Sequence, residues 1–345
     1  MQEIDWDKIS FNYTKTNAVI VSHYKDGSWS PARKETSFNF GYNPFAEVFH
    51  YATSCFEGLK AFRGADGEVR LFRPDENAKR MKRSADFLDM PSPSEEMFIE
   101  MCVECVKENI DFLPPYGHGA SMYIRPVLIG MNPQIALVPS NECDFAVMCS
   151  PVGSYSGNKG LKSVNAAISR NYDRAAPNGS GSYKVSANYP ASFRPYRIAH
   201  SEGYKELLFL NPSTKRNIDE FGSSNFFAIK GNSFITPLSD SVLPSITNKS
   251  LQVVAGDMGL DVEKRVIPVE ELDSVQEVAA CGTAVVITPI SYIDDKPTVE
   301  GKEVTKTYRF FPDGLVGPVS QKLYERILGY QFGEIADDHG WCLKI

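Results

Sequence analysis

Ser182-Tyr183-Lys184-Val185-Ser186-Ala187-Asn188-Tyr189 places one lysine among small and neutral residues, and no acid follows it until Glu202. Desolvating an ammonium that has no carboxylate partner favours its neutral form, and a neutral amine is what Schiff-base chemistry with an aldehyde requires. Lys184 is therefore the candidate nucleophile. Just upstream, residues 151–181 become rich in Ser, Gly and Asn, including Gly153-Ser154-Tyr155-Ser156-Gly157-Asn158-Lys159-Gly160, which reads as a connection. This sets a small N-terminal domain at 1–154, an interdomain connection at 155–170 and a large domain at 171–345.

Composition agrees with two domains. The 345 residues are 42% hydrophobic and 23% charged, enough apolar matter for a sizeable core and too much for a disordered chain. A net charge of −7 argues against a broad basic face for nucleic acid or an anionic membrane. The longest mostly apolar stretch, 278–290, is interrupted by Gly282 and Pro289 and is too short to span a bilayer. The acidic start Met1-Gln2-Glu3-Ile4-Asp5-Trp6-Asp7-Lys8 lacks the basic-then-apolar order of a secretion signal, so a cytoplasmic protein is expected. Seven scattered cysteines suit reduced thiols better than a disulfide framework.

The local signals give a mixed α/β chain. An apolar run at 18–21 leads to the turn Lys25-Asp26-Gly27, and Leu59-Lys60-Ala61-Phe62-Arg63 with Glu68-Val69-Arg70-Leu71-Phe72 forms a hairpin about Gly64-Ala65-Asp66-Gly67. Ser92-Pro93-Ser94-Glu95 has capping-box spacing ahead of Phe98, Cys102, Cys105 and Val106, which predicts a helix capped by Ser92. Strands are expected at 122–129, 145–149, 206–210, 225–229 and 234–236, and near 262–267 and 285–287. Thr247 is expected to cap a helix running through Met258, and Val319, Leu323 and Ile327 stripe a final one.

Other chemistries find no support. The five histidines, at 23, 50, 118, 200 and 339, lack metal-ligand spacing, so no metal site is expected. Cys102 and Cys105 have redox spacing but lie inside an amphipathic helix, where small thiols serve as core filler. Gly179-Ser180-Gly181-Ser182-Tyr183-Lys184 lacks the Gly-Lys-Ser/Thr order of a phosphate loop.

From about residue 38 to 345 the chain resembles the branched-chain amino acid aminotransferases of pyridoxal-phosphate fold type IV. The resemblance rests on His50-Tyr51, Phe56-Glu57-Gly58-Leu59-Lys60-Ala61-Phe62-Arg63-Gly64, Arg80-Met81 and Tyr123-Ile124-Arg125-Pro126. Tyr183-Lys184 with Asn188-Tyr189, Glu220 with Gly222 and Asn225, Leu243-Pro244 with Ile246-Thr247, and Cys281-Gly282-Thr283-Ala284 complete it. It implies an α/β, two-domain enzyme with pyridoxal 5'-phosphate between the domains, the large domain binding the cofactor. The reaction implied is transamination of leucine, isoleucine and valine with 2-oxoglutarate, giving branched-chain 2-oxo acids and glutamate. A homodimer or higher homo-oligomer is also implied.

Carried over by position, Lys184 is similar to the lysine that bonds the cofactor and later moves the proton. Glu220 resembles the carboxylate facing the pyridine nitrogen, and Tyr189 the phenol on the ring oxygen. Arg80, the amides of Ile246 and Thr247 at a helix start, and the Thr283 hydroxyl resemble the phosphate site. The amides of Thr283 and Ala284 resemble the donors to the substrate carboxylate. Tyr51, Phe56 and Tyr123 resemble an aromatic wall, with Arg125 available to the side chain of glutamate.

Some positions depart from the family pattern. Ser186 and Ala187 stand where many relatives have two glycines, Ser245 replaces a glycine, Asn248 stands where arginine is common, and Ser223 replaces threonine. Val285 and Thr288 occupy the places of a C-x-x-C found in some relatives. Two alternatives remain: a D-amino acid aminotransferase or aminodeoxychorismate lyase of the same fold, and a cofactor-less binding or scaffolding protein.

Overall fold

Strict alternation builds the first sheet. In Ser121–Gly130 every second side chain is buried from Met122 onward, and the intervening ones, from Tyr123 to Ile129, are half exposed, so one face packs on a core and the other is left for a site. The computed structural model describes residues 4–153, 160–299 and 302–345 and divides into two compact units. The first takes the described residues of Met1–Asn158 with Tyr183–Ala187 and Leu328–Ile345; the second takes those of Lys159–Ser182 and Asn188–Ile327. The expected boundary at 154/155 and the start of the 155–170 connection lie outside the described residues.

Unit 1 is an antiparallel sheet of nine strands with helices on it. β1 (Val19–Lys25) and β2 (Ser28–Trp29) are joined by Asp26 and Gly27, both at positive φ, as a two-residue type I′ hairpin demands. Then come β3 (Arg33–Glu35), α1 (Glu47–Tyr51), β4 (Ser54–Phe56) and the hairpin of β5 (Leu59–Arg63) and β6 (Val69–Phe72). α2 (Pro74–Phe87) and α3 (Glu95–Glu108) follow, and β7 (Ser121–Gly130) and β8 (Cys143–Val152) make the longest pairing. The sheet runs β2-β1-β8-β7-β5-β6 and ends on the C-terminal strand Cys342–Lys344, with β3 on β1 and β4 on β7.

The cap of α3 is Ser94, not Ser92. Its hydroxyl accepts from Met97 N at 3.1 Å, Ser92 instead donates to the Pro93 carbonyl, and Pro93 precedes the cap. Glu95 and Glu96 then occupy the first turn, where the helix dipole favours them. Phe98, Met101, Cys102, Cys105 and Val106 form the buried stripe. Cys102 and Cys105 are fully buried in the core, and desolvation holds the Cys102 thiol far above its ordinary range.

Unit 2 holds a mixed nine-stranded sheet. In chain order it has β9 (Val164–Ser169), α4 (Phe193–Ser201), β10 (Glu206–Leu210), β11 (Ile218–Phe221), β12 (Asn225–Lys230), β13 (Ser233–Pro237), α5 (Ile246–Asp257), β14 (Asp261–Arg265), β15 (Glu277–Gly282) and β16 (Val286–Asp295). Strand order is β11-β10-β9-β16-β15-β12-β13-β14, with Lys306–Arg309 on β16. β9 runs parallel to β10 and β16, so it is covered on both faces and reads as the near-continuous run Ala166-Ala167-Ile168. Helix Pro318–Gln331 buries Leu323 and Ile327; its first turn is capped by the Glu277 carboxylate, which accepts from Val319 N, Ser320 N and the Ser320 hydroxyl.

α5 also begins differently from expectation. Ser245 is its cap, accepting from Asn248 N at 3.2 Å, and Thr247 lies inside the first turn.

Candidate active site

Within unit 1 the site residues converge by strand register. Tyr123 and Arg125 lie on the half-exposed face of β7; Lys60 of β5 pairs with Tyr123 and Phe56 of β4 with Val127, so all four share that face. The Arg125 guanidinium lies 4.6 Å from the Phe56 ring centre and 5.2 Å from that of Tyr123, and donates to the Tyr123 hydroxyl at 3.1 Å. Its Nε is buried and has no hydrogen-bond partner among the described residues. A guanidinium held against two aromatic faces can receive a carboxylate on the donors it keeps beyond the one given to Tyr123. Gly58 is required here, since a Cβ would fall 2.0 Å from the Tyr123 hydroxyl. Tyr51 lies farther out and half exposed, its hydroxyl on the Ile135 carbonyl at 2.5 Å.

Lys184 belongs to this unit. Its carbonyl accepts from Phe56 N at 3.1 Å, its amide donates to the Ser84 hydroxyl at 3.0 Å, and Val185 bridges to Cys55, so the backbone is clamped on both sides. The Lys184 ammonium nitrogen is 4.8 Å from the Phe56 ring centre. Ser186 accepts from the Ser54 hydroxyl at 2.7 Å, a contact that a glycine there would lack.

α2 separates its basic residues by helical phase. Lys79 and Lys82 pair with Asp75 and Asp86 on the outer face, whereas Asn77, Arg80 and Ser84 are buried on the inner one. Arg80 meets Glu57 in a two-pronged pair, Nε to Oε1 and Nη2 to Oε2, each at 2.7 Å. Asn77 and Gly58 N also donate to Glu57, which is completely buried. The role of Glu57 is not assigned by any local sequence pattern; an acid between two strand runs is the one signal it leaves. Lys60 was missed likewise: desolvation lowers its ammonium to about 8.

Unit 2 holds the second set. Glu220 of β11 is 3% exposed, and one oxygen takes Leu243 N at 3.1 Å and Arg174 at 2.6 Å while the other takes Asn225 at 2.8 Å. Burial outweighs these donors and pushes the carboxyl up to about 7. Arg174, 9% exposed, also holds the carbonyls of Gly181 and Ser241 and is a residue sequence reasoning missed. Tyr189 is half-buried ahead of α4.

Ile246 and Thr247 are buried in the first turn of α5, where amides have no carbonyl four residues back to bond. Thr283 and Ala284 sit in the loop closing β15 and β16, beyond the pair Gly282 and Val286. Val286 has φ +63° and Ile287 N reaches back to Val285 O at 2.8 Å, a γ-turn around a β-branched residue. Backbone of this kind is costly for a β-branched residue and persists only where its surroundings hold it.

The model of the class IV amino-transferases matches residues 54–293, a span that includes every assigned residue except Tyr51. The chain belongs to that family. Along its whole length the aminotransferase is 41% identical to a branched-chain-amino-acid aminotransferase of Haemophilus influenzae, covering all of both chains. It is 39% identical to the Helicobacter pylori enzyme of that name, over all of this chain and 99% of the relative. The crystal structure of the Escherichia coli branched-chain amino acid aminotransferase superposes with a TM-score of 0.76 at 26% identity, covering 95% of this chain and 99% of that one. The fold type IV architecture follows, and the chain is an enzyme.

Proposed function

We propose that this aminotransferase exchanges amino groups between leucine, isoleucine or valine and 2-oxoglutarate, using pyridoxal 5'-phosphate. The observation that carries the substrate pair is Arg125: a guanidinium with an unpartnered buried Nε, set against the rings of Phe56 and Tyr123. Rings accept a branched aliphatic side chain, and the guanidinium accepts the distal carboxylate of glutamate.

The donor set suits the cofactor. Lys184 offers an amine on a clamped backbone; Glu220 offers a desolvated carboxyl whose ionised form is favoured by a protonated nitrogen opposite it; Arg80, the amides of Ile246 and Thr247, and Thr283 would hold a phosphate. Tyr189 would meet the ring oxygen. When bound, pyridoxal phosphate supplies an electron sink for the pair left at the substrate Cα. The Lys184 amine, on its clamped backbone, would take the proton from the substrate Cα and hold it for return. Arg174 and Asn225 fix the Glu220 oxygens so that its charge keeps one position. The amides of Thr283 and Ala284 would orient the substrate carboxylate, and Tyr51, farther out on the Ile135 carbonyl, would extend the aromatic wall toward solvent.

A second copy of the chain is the fitting partner. Phe45, Phe49, Ile135, Leu137 and Val138 are each more than half exposed, and the two segments are joined by Gln134 N to Phe45 O and Tyr51 to Ile135 O. So large an apolar surface beside a site residue marks an interface, and we assign it to a homodimer. Among the described residues no helix is long and apolar enough to cross a membrane. All seven cysteines are unpaired, which suits the reducing cytoplasm.

The deciding experiment runs L-leucine with 2-oxoglutarate beside D-alanine and records the cofactor spectrum in single turnovers. Arg125→Met should slow the glutamate half-reaction by about one to two orders of magnitude, from roughly 1.5–3 kcal/mol per lost charged hydrogen bond, and the leucine one far less. Equal losses would make Arg125 a wall residue only, and turnover of D-alanine without L-leucine would overturn the substrate assignment.

A further inference from the structure

Unit 2 contains a polar cavity of about 280 Å3, with Asp219 in its wall. Asp219 and Glu220 are consecutive on β11, so they point to opposite faces of the strand, and the cavity is on the Asp219 side. Asp219 is 4% exposed. One carboxylate oxygen accepts from the Ser241 hydroxyl at 2.6 Å, while the other, Oδ1, is buried with no hydrogen-bond partner among the described residues. Asn211, Ser239 and Ser241 form a hydrogen-bonded cluster around this carboxylate, and all three line the cavity.

A buried acceptor without a donor costs on the order of 1–3 kcal/mol, so the site calls for a donor. The lining narrows what kind. It contains two carboxylates, Asp219 at depth and Asp240 exposed, and no lysine, arginine or histidine. The carboxylate of a zwitterionic amino acid would find neutral donors there but no cation to balance it beside two aspartates. Among the described residues no group of three or more His, Cys, Asp or Glu is placed to hold a metal ion. Pro212, Leu238 and Val266 supply apolar walls, which suit methylene groups and not a hydrated ion.

We propose that this cavity binds a linear aliphatic diamine, one ammonium on Asp219 and the other on Asp240, with the methylenes along Leu238 and Val266. The raised carboxyl of Asp219, whose main cause is burial, fits a group built to be neutralised by a bound cation. The Asp219 charge also raises the carboxyl of Glu220, so an ammonium beside it eases ionisation of Glu220.

The test is calorimetric titration of borohydride-reduced holoenzyme, in which no cofactor aldehyde remains to condense with an amine. The probes are 1,4-diaminobutane, n-butylamine and potassium chloride at matched ionic strength. The diamine should bind saturably, butylamine at least about fivefold more weakly, and potassium without a saturable signal. Asp219→Asn should weaken the diamine about tenfold or more. Asp240→Lys, at an exposed position where the unfolding midpoint should stay unchanged, should do the same through its own ammonium. Absence of saturable diamine binding, or affinity that survives both substitutions, overturns the site. Butylamine binding as tightly as the diamine overturns the two-headed arrangement.

Discussion

Replacing Glu57 by Gln should destabilise the protein out of proportion to the one heavy atom changed. The native carboxylate receives Arg80 Nε and Nη2 and Asn77 Nδ2, each at 2.7 Å, and Gly58 N at 3.2 Å. All four partners are donors, so an amide in this position turns its NH2 toward at least one of them whichever way it is flipped. The remaining guanidinium, 9% exposed, then lacks a counter-charge. Removing one partner of a buried pair costs about 3–5 kcal/mol, a large share of the roughly 5–15 kcal/mol that a folded protein has in hand.

At about 2–4 °C per kcal/mol for a unit of this size, the unfolding midpoint should fall by roughly 6–20 °C. Urea titration followed by circular dichroism measures the free energy directly, and inorganic phosphate protection reports whether Arg80 still faces an anion. The double variant Glu57→Leu with Arg80→Met removes both charges and should cost less than Glu57→Gln alone, because no uncompensated charge stays behind. A single-variant loss below about 1 kcal/mol, or a double variant worse than the single one, would refute the reasoning about the pair.

The titrating groups give two signs to check. Glu220 is raised from 4.5 to about 7, so the folded state keeps its proton longer than the unfolded one; stability without cofactor should fall by about 3 kcal/mol as pH rises from 4.5 to 7, and Glu220→Gln should flatten that slope in urea melts. The same variant should keep bound cofactor yet slow proton abstraction, seen as a smaller rate constant for the spectral change in single turnovers. Lys60 is lowered from 10.5 to about 8, so the unfolded state binds more protons between those values; stability should rise by about 3 kcal/mol across that interval, a slope that Lys60→Met abolishes. Lys184→Ala should abolish turnover with the far-ultraviolet spectrum unchanged, and borohydride labelling with peptide mapping should mark Lys184 in the native enzyme. Leu137→Asp should shift the dimer toward monomer in light scattering.

What the sequence disclosed was local in origin. Asp26-Gly27 announced a turn because readiness for positive φ is a property of the dipeptide itself, and the structure makes that turn a hairpin; the 2-residue period of β7 shows which side chains share a face. Where two residues of one type competed for one job, locality failed. Ser92 and Ser94 both satisfy a capping rule, as do Ser245 and Thr247, and tertiary packing decides where the first turn begins. Pairings across the fold left no trace at all in any periodicity: Arg80 is 23 residues from Glu57, and Arg174 contacts Glu220 from a Ser- and Gly-rich stretch that reads only as a connection. The roles of Lys184 and Glu220 came from resemblance, since a lysine among small residues and an acid after a turn are individually commonplace.

The departures from the family pattern at 245 and 248 form one linked change. Ser245 supplies a hydroxyl cap that takes Asn248 N, and the Asn248 side chain, 3% exposed, donates to the Thr236 hydroxyl at 2.8 Å and accepts from Gln252 at 2.8 Å. An arginine at 248 would bring a charge into that buried position, where neutral hydroxyl and amide groups now satisfy one another; the asparagine is consistent with its surroundings and the helix start keeps its dipole. The consequence is electrostatic. On the proposed reading α5 offers a phosphate only the amides of Ile246 and Thr247, with no cation from position 248, so the guanidinium assigned to the phosphate is that of Arg80. Arg80 in turn holds its place through Glu57. Loss of Glu57 should therefore weaken phosphate binding more in this chain than in a relative that carries arginine at the position of Asn248, and installing Asn248→Arg should restore little, because the Thr236 hydroxyl and Gln252 amide that now satisfy this buried position are neutral and give an arginine no counter-charge.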